Sequence, residues 1–259
     1  MHLLPLPAFT DNYVWMLHDG HQAWVVDPGD AAPVAAALDS LGLQLAGILV
    51  THHHPDHVGG IDALRERLAA TGGRVHGPSG ERIPEPVERH VEGDTIDVLG
   101  RRFEVLEVPG HTAGHIAYFE RDATAHPLLF CGDTLFSAGC GRLFEGTAAQ
   151  MEASLARLGA LPADTRVCCT HEYTLSNLRF AAAVEPSNRE RADYTARCEA
   201  RRAGGEPTLP STIGLERAVN PFLRCTEPPV IEAARSQGAR SDDAVDVFAA
   251  LRSWKDRFR

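Results

Sequence analysis

The chain has 259 residues, of which 44% are apolar and 23% are charged, values typical of a globular protein with one large domain or one domain and a smaller appendage. Its 25 basic and 35 acidic residues give a net charge of −10, which argues against nucleic-acid binding because that activity needs a basic face. No stretch approaches the roughly 18 consecutive apolar residues of a membrane span, so we expect no membrane partner.

Up to about residue 172 the sequence predicts short strands separated by turns, with two helices between them. The first helix spans residues 31–42, with Asp30 as its N-cap, and the second spans residues 61–72 and ends at glycines. The predicted strands are residues 12–19, 22–28, 45–51, 74–78, 95–100, 101–110, 116–120, 127–133 and 166–172.

The sequence changes character after residue 172, where helical stretches alternate with proline-containing loops. The three predicted helices are residues 174–186, 187–204 and 241–258. No internal repeat or low-complexity tract interrupts either part. The pattern therefore predicts an α/β body followed by a helical appendage.

Histidines and aspartates follow four of the predicted strands, each at the point where the strand ends. The strand at 45–51 is a continuous apolar run that leads directly into THHHPDH, and the others lead into PGHTAGH, CGDTLF and CTHE. Strand ends are where α/β proteins gather their ligand sites. The candidate metal ligands are His52, His54, Asp56, His57, His111, Asp133 and His171.

This set is too large for one tetrahedral zinc ion, which needs three or four ligands, and is about right for two ions that share a carboxylate. Imidazole and carboxylate donors suit zinc, iron or manganese. Alternate residues of an extended segment point the same way, so His52 and His54 can bind one ion. Asp56 and His57, beyond the kink at Pro55, can turn to a second.

Other readings of these residues stay open at this point. Taken singly, His111, Asp133 and His171 could fill loop or core positions without metal, an alternative that the THHHPDH block makes weaker. His53 faces away from the alternating pair, so we interpret it as a supporting or structural residue. His115 lies at the start of a predicted strand, where packing in the core explains it as well as metal binding does. The six cysteines include no CxxC pair, and no signal-peptide pattern precedes them, so we expect reduced thiols in a cytoplasmic protein. Histidines interpreted as surface or satisfied residues are His2, His18, His21, His76, His90 and His126.

The motifs THHHPDHVGG, PGHTAGH, GDTLF and THEYT resemble those of the metallo-β-lactamase superfamily. Within it, GCGRLFEGT, THEYTLSN, TLPSTI, NPFLR and RSWKD resemble the glyoxalase II family of hydroxyacylglutathione hydrolases, over nearly the whole chain. The resemblance implies an α/β protein with an αββα sandwich over residues 1–172 and a smaller helical, glutathione-binding domain over residues 173–259. It also implies two divalent metal ions, with zinc expected before iron or manganese, and Asp133 as the bridging ligand.

Such a metal pair suits the hydrolysis of a thioester. Two ions about 3.5–4 Å apart lower the pKa of bound water to near 7, so a metal-bridged hydroxide can act as the nucleophile. The leaving thiolate, whose conjugate thiol has a pKa of about 8.5, needs no strong general acid. Asp133 would bridge the ions, and Asp56 would hold its ion and orient the attacking group. The resemblance implies a substrate of S-D-lactoylglutathione type, cleaved to D-lactate and glutathione, the second step of methylglyoxal detoxification.

An anionic glutathione thioester needs a local cationic site in a chain of net charge −10. The positions that match the family pattern are Arg142, where the family often has lysine, and Tyr173, Arg252 and Lys255. Phe144 stands where some members have tyrosine, so its role as a polar contact is in doubt. For Tyr173, the alternative to substrate binding is a tyrosine that packs beside the site. For Arg252 and Lys255, the alternative is a helix face exposed to solvent. Lys255 is the only lysine in the chain.

Three rival functions are weighed against this one. A sulfur-oxidising iron dioxygenase on the same fold would use fewer of the ligands and one iron. A metal-dependent nuclease is disfavoured by the charge, and a non-catalytic metal-binding protein by the intact ligand set and the apparent substrate domain. We expect a monomer, although the sequence does not determine the oligomeric state, the acyl preference or the metal.

Overall fold

The computed structural model describes residues Met1–Phe258. These residues form two compact units, each assembled from separate segments of the chain. The first unit comprises residues 1–107 and 113–132, and the described part of the second comprises residues 108–112 and 133–258. Within Met1–Phe258, no helix is long and apolar enough to cross a bilayer.

The first unit contains a six-stranded mixed sheet in the order β1-β2-β3-β4-β5-β6. The first three strands pair antiparallel, and β3 to β6 pair parallel. The parallel part places the carboxyl ends of β3 and β4 side by side, which brings the loops that follow them together. The strands are β1 (His2–Ala8), β2 (Asn12–His18), β3 (Gln22–Val26), β4 (Gln44–Leu49), β5 (Arg74–Pro78) and β6 (Glu88–His90).

Four further strands of the first unit pair antiparallel in chain order. The buried phenol of Tyr118, on the third of them, donates a hydrogen bond to the main-chain oxygen of Val50 at 2.8 Å. This bond ties the strand to the start of the loop that carries THHHPDH. The strands are β7 (Thr95–Val98), β8 (Arg101–Glu107), β9 (Ile116–Glu120) and β10 (Leu128–Gly132).

The first unit has three helices: the first lies close to its predicted bounds, the second was not predicted, and the third ends at Ala69, before the predicted end at Gly72. The backbone N–H of Ala32 donates to the Asp30 side chain at 2.9 Å, which caps the first helix, and Gly42 ends it in the left-handed conformation at φ 65°. An apolar cluster that includes Val34, Leu38 and Ile48 forms the core beside the mixed sheet. The helices are α1 (Ala31–Leu41), α2 (Pro55–Val58) and α3 (Ile61–Ala69).

The second unit is mostly helical and includes two short strand pairs, β11 (Leu135–Phe136) with β12 (Gly139–Cys140) and β13 (Arg166–Cys169) with β14 (Ser211–Thr212). Around Ala138, Leu178 and Tyr194 lies a second apolar cluster. The helices are α4 (Ala148–Gly159), α5 (Thr174–Val184), α6 (Arg189–Ala203), α7 (Ile213–Val219), a 3₁₀ turn (Pro221–Leu223), α8 (Pro228–Ser236) and α9 (Ala244–Arg257).

The prediction that residues before 172 contain two helices was wrong, because α2 also lies there, and so does α4. Its signal is present in the sequence: Thr147 and Gln150 form a reciprocal capping box at the start of the helix. The strands β1 and β6 and the helices α7 and α8 were also missed. β1 carries two prolines, which disfavour a strand, and the other three are short, with three, seven and nine residues, and show little periodicity. All six cysteines are buried in the structure.

Candidate active site

The loop after β4 presents two imidazoles to each other. The Nε2 atom of His52 lies 3.1 Å from Nδ1 of His54, and the two rings meet edge to face with centroids 4.7 Å apart. Thr51 donates its hydroxyl hydrogen to Asp27 at 2.8 Å, so its oxygen can only accept from Nδ1 of His52 at 3.1 Å. That arrangement places the proton of His52 on Nδ1 and turns its lone pair, on Nε2, toward His54.

Asp56 and His57 follow on the short helix α2, beyond the chain direction change at Pro55. The Nε2 atom of His57 lies 3.6 Å from the carboxylate of Asp56, and its Nδ1 atom lies 3.0 Å from the carboxylate of Asp27. Asn12 donates to the other side of the site, with its amide 3.0 Å from Oδ2 of Asp56. His57 is fully buried, so the carboxylate of Asp27 favours a proton on the Nδ1 face and an unprotonated Nε2.

Glycine at position 29 allows this helix to approach the loop after β3. A Cβ atom there would fall 1.8 Å from the main-chain oxygen of Asp56, so no other residue fits without moving the ligand loop. The same loop supplies Asp27, which the sequence analysis missed. Its signal was available, because Asp27 ends an apolar strand in the same way as the predicted ligands do.

In the second unit, one carboxylate stands between two imidazoles. Oδ2 of Asp133 lies 3.4 Å from Nε2 of His111, and Oδ1 lies 3.4 Å from Nε2 of His171. All three side chains are buried. A carboxylate whose two oxygens each face a different imidazole nitrogen has the donor arrangement that a bridging ligand needs.

The segment around Arg142 fixes the ring of His111. The main-chain oxygen of Arg142 can only accept, so Nδ1 of His111, at 2.9 Å, donates to it and Nε2 carries the lone pair. Gly141 makes the approach possible, because a Cβ atom there would fall 1.9 Å from the main-chain oxygen of Asp133. Phe144 meets the other side of the imidazole edge to face, with ring centroids 5.2 Å apart.

Aromatic rings hold His171 in the same way. Its imidazole stacks on Tyr173 with centroids 4.7 Å apart and an interplanar angle of 3°. Phe136 meets both rings edge to face, at 5.7 Å from His171 and 5.5 Å from Tyr173. Tyr173 therefore packs beside a candidate ligand, while 37% of its surface remains exposed.

A cavity of about 530 Å³ in the second unit adjoins His111 and Asp133. Its walls are both apolar and charged, and the carboxylate of Asp256 lies 3.0 Å from Arg252 and 3.8 Å from Arg142. The five residues that the sequence matched to a substrate site all line it: Arg142, Phe144, Tyr173, Arg252 and Lys255.

The two cations on α9 are placed differently in this cavity. Arg252 is only 5% exposed, and it donates to the main-chain oxygen of Cys140 and to Asp256, both at 3.0 Å. Lys255 is half-buried and donates to the main-chain oxygen of Ser176 at 3.2 Å. Burial, together with the positive charges of Arg252 and Arg179, lowers the pKa of Lys255 to about 8. Neither Arg252 nor Lys255 therefore lies on a helix face that is fully exposed to solvent.

Other histidines now have identified surroundings. His115 is fully buried and stacks on His52, with centroids 4.6 Å apart, so it packs directly behind a candidate ligand. The ring of His53 meets that of His54 edge to face, with centroids 5.1 Å apart, and its Nδ1 atom contacts the carboxylate of the buried Glu81.

Comparison with known proteins assigns this arrangement to a family. The model of the metallo-beta-lactamase superfamily matches residues 8–171, and the model of the hydroxyacylglutathione hydrolase C-terminus matches residues 172–258. A hydroxyacylglutathione hydrolase of Albidiferax ferrireducens is 61% identical over 258 residues and covers 100% of both chains. Another, of Cupriavidus taiwanensis, is 56% identical and covers 98% of each chain. This chain belongs to the hydroxyacylglutathione hydrolase family.

Solved structures agree with this assignment at the level of the fold. ETHE1 from Myxococcus xanthus is 29% identical, with a TM-score of 0.58 over 85% of this chain and 96% of its own. A di-iron-bound form of TTHA1623 is 26% identical, with a TM-score of 0.56 over 86% of this chain and 100% of its own. The predicted α/β class, with a metallo-β-lactamase domain and a helical carboxyl-terminal domain, is confirmed.

The donors of this hydroxyacylglutathione hydrolase fit a divalent metal site. The hydrogen bonds of His52 and His111 put their protons on Nδ1 and leave Nε2 unprotonated, which is the form of imidazole that binds metal. Asp27, beside His57, is the kind of carboxylate that orients a metal-binding imidazole. The fold family and these imidazole and carboxylate clusters together support a divalent metal site.

Proposed function

We propose that this chain hydrolyses the thioester bond of S-(2-hydroxyacyl)glutathiones, S-D-lactoylglutathione among them, to glutathione and a 2-hydroxy acid. One observation carries the proposal: the cavity that adjoins His111 and Asp133 also holds the cations Arg142, Arg252 and Lys255. An anionic substrate whose acyl group is transferred needs donors that hold a metal beside the acyl group. It also needs a cavity wall with positive charge. The names of the full-length relatives support the same substrate class.

We propose two divalent ions per chain, with zinc first and iron or manganese as alternatives. When bound, such a pair would activate a water molecule near neutral pH and polarise the thioester carbonyl. Asp133 is the proposed bridging ligand because its two oxygens face two imidazoles. The proposed ligands are His52, His54, Asp56, His57, His111, Asp133 and His171.

The chain's own residues contribute orientation and charge to the reaction. Asn12 donates to Oδ2 of Asp56 at 3.0 Å, so it would orient the carboxylate that we propose holds an ion and orients the attacking water. No side chain need protonate the leaving group, because the glutathione thiolate is stable enough to depart unprotonated, with a thiol pKa of about 8.5. We propose no covalent acyl-enzyme.

The substrate's glutathione part is proposed to lie in the cavity of the second unit. Lys255 and the exposed Arg142 offer cations to its carboxylates, while Tyr173 and Phe144 offer aromatic faces. Arg252 is already engaged by Cys140 and Asp256, so its part is to position this wall. Phe144 has no hydroxyl, so its contact with the substrate is apolar.

The domain assignment rests on the family models, which meet between residues 171 and 172. We propose residues 1–172 as the catalytic domain and residues 173–259 as the glutathione-binding domain. The six buried cysteines, none of which forms a disulfide, are consistent with a reducing compartment such as the cytoplasm. A monomer is proposed, to be checked by sedimentation.

Thioester loss measured by ultraviolet absorbance on a panel of glutathione thioesters tests the function, with elemental analysis of the same sample. Hydrolysis of 2-hydroxyacyl thioesters with two ions per chain is expected. Asp133→Ala should lose an ion and reduce kcat by orders of magnitude, whereas Asp122→Ala, in an exposed loop, should change neither. A fully active sample with a single ion per chain contradicts the binuclear proposal.

A single turnover in water labelled with heavy oxygen distinguishes attack by water from attack by a side chain of the protein. The label should enter the acid product, with none left on the protein; a trapped acyl group on serine or cysteine contradicts direct attack by water. Oxygen consumption without thioester hydrolysis would instead favour the iron dioxygenase reading.

A further inference from the structure

A second cluster of imidazoles lies on the first unit, away from the seven proposed ligands. His76 on β5 and Glu88 on β6 are register partners in the parallel pairing of these strands. His90 follows on the same strand, and its Nε2 atom lies 2.9 Å from Nδ1 of His76. Both rings are buried, and one donor atom from each of the three side chains lies within 4.8 Å of the other two.

A nearby carboxylate orients one of the imidazoles. Oδ2 of Asp94 lies 3.5 Å from Nδ1 of His90, and it is held in place by the backbone N–H of Val91 at 2.9 Å. A carboxylate behind one ring nitrogen favours a proton there and an exposed lone pair on the other, as in many metal sites. Nε2 of His90 is therefore an acceptor, and Nδ1 of His76 donates to it in this state.

The second imidazole is that of His76 on β5. Its ring stacks on Trp24 with centroids 5.3 Å apart. Gly47 leaves room for this contact, because a Cβ atom there would fall 2.4 Å from the indole. The indole thus lies directly beside the cluster and can report on what binds there.

The cluster is open to solvent through a cavity of about 310 Å³. The exposed Arg74 pairs with Oε2 of Glu88 at 3.0 Å, which leaves Oε1 of the carboxylate to face a ligand. Thr95 and Asp97 complete the rim. A small ion can reach the imidazole nitrogens from this side.

We propose that His76, Glu88 and His90 bind a third divalent transition-metal ion, separate from the active site. Two imidazoles and a carboxylate suit Cu²⁺, Ni²⁺ or Zn²⁺. On binding, the proton of His76 moves from Nδ1 to Nε2, and the ion replaces the hydrogen bond between the rings.

Equilibrium dialysis of the metal-loaded enzyme against Ni²⁺ tests the site, with bound metals counted by elemental analysis. The wild type should bind one more Ni²⁺ than His90→Asn, whose affinity should fall at least about tenfold, as expected for a lost ligand. His21→Asn, on an exposed turn, should bind like the wild type. Thioesterase activity should be unchanged in both variants, so failure of this proposal is distinguishable from failure of the proposed function.

Tryptophan fluorescence is a second readout, and it depends on how close the ion binds to Trp24. Saturable quenching by Ni²⁺ should be present in the wild type and lost in Trp24→Phe, although the chain has two other tryptophans. If His90→Asn does not fold, Glu88→Gln at an exposed position supplies the same comparison. Equal Ni²⁺ binding by the wild type and a folded ligand variant overturns the proposal.

Discussion

Arg252 and Cys140 are joined by a hydrogen bond across 112 positions of sequence, in which Nη1 of the guanidinium donates to the main-chain oxygen at 3.0 Å. Cys140 ends β12, and the main-chain oxygen of Arg142, two residues later, accepts from His111. The guanidinium thus supports the segment that orients a proposed metal ligand. Its burial is explained by this support, whether or not it also contacts substrate.

Arg252→Met should therefore lower the free energy of unfolding by about 1–3 kcal/mol, because the buried oxygen of Cys140 loses its donor. KM should rise as well, since the segment with Arg142 becomes less well placed. Chemical denaturation and steady-state kinetics measure the two effects. Arg257→Met, at an exposed position on the same helix, is the control. A raised KM with an unchanged unfolding free energy would mean direct substrate contact without anchoring.

Lys255 should give kcat/KM an alkaline limit. Its pKa is about 8, so the ammonium is present below that pH and is lost as the pH rises through it. Because kcat/KM reports groups of the free enzyme, it should fall above about pH 8 in the wild type. Lys255→Arg should remove this fall, since a guanidinium stays charged. A profile that is identical in the two proteins would exclude Lys255 as its source.

Lys255→Ala should raise KM about fivefold at neutral pH with little change in kcat, because a half-buried charge contact contributes about 1 kcal/mol. The rise reaches tens-fold if the contact is well desolvated. Added salt should shrink the difference, since screening also weakens the wild-type contact. Kinetics at low and high ionic strength measure it, and an unchanged KM would remove Lys255 from the substrate site.

Asp27→Asn tests the support behind the first group of ligands. Asp27 accepts from the hydroxyl of Thr51 and lies 3.0 Å from Nδ1 of His57. Replacing such a supporting carboxylate should weaken metal affinity about 10–100-fold, measured by competition with a chelator. Asp30→Asn is a matched control, because asparagine caps α1 as well as aspartate does. Equal metal affinities for the two variants would contradict this role.

Glu216 should give the second unit a stability that depends on pH. It is fully buried, accepts from Ser137 and from the backbone of Ala138, and burial raises its pKa above the usual 4.5. A carboxyl with a raised folded-state pKa stabilises the fold at low pH and loses that contribution as the pH rises. The wild type should therefore lose stability relative to Glu216→Gln between pH 5 and pH 8.

Denaturant unfolding at these two pH values measures the difference. Glu232→Gln, at an exposed position on α8, should keep a constant offset from the wild type. A constant offset for Glu216→Gln as well would mean that its carboxyl has the same pKa folded and unfolded.

The sequence predicted the position of each proposed metal ligand because strand ends and ligand types are both local features. His52 and His54 were expected to point the same way, and two of their nitrogens lie 3.1 Å apart. Pro55 was expected to turn the chain, and it begins α2. These predictions needed only the alternation of an extended backbone and the restriction that proline imposes.

The surroundings of those ligands could not be predicted in the same way, because they depend on packing between distant segments. The helical spacing of Arg252 is the same whether its face of α9 is covered or solvated, and only the folded chain shows the guanidinium buried against Phe222, 5.2 Å away. The pairing of His76 with His90 likewise depends on the register of two parallel strands, which no local pattern sets.

The burial of the six cysteines has a consequence for an enzyme that would release a thiol at every turnover. Thiol–disulfide exchange needs an accessible thiolate. Burial raises the pKa of the Cys140, Cys168, Cys198 and Cys225 thiols, so they stay protonated and out of reach. Cys140, which borders the substrate cavity, is also held by Arg252, whose Nη1 lies 3.6 Å from its sulfur. Oxidised glutathione that enters this cavity should therefore leave without forming a mixed disulfide, and the protein should keep its activity as the ratio of oxidised to reduced glutathione rises.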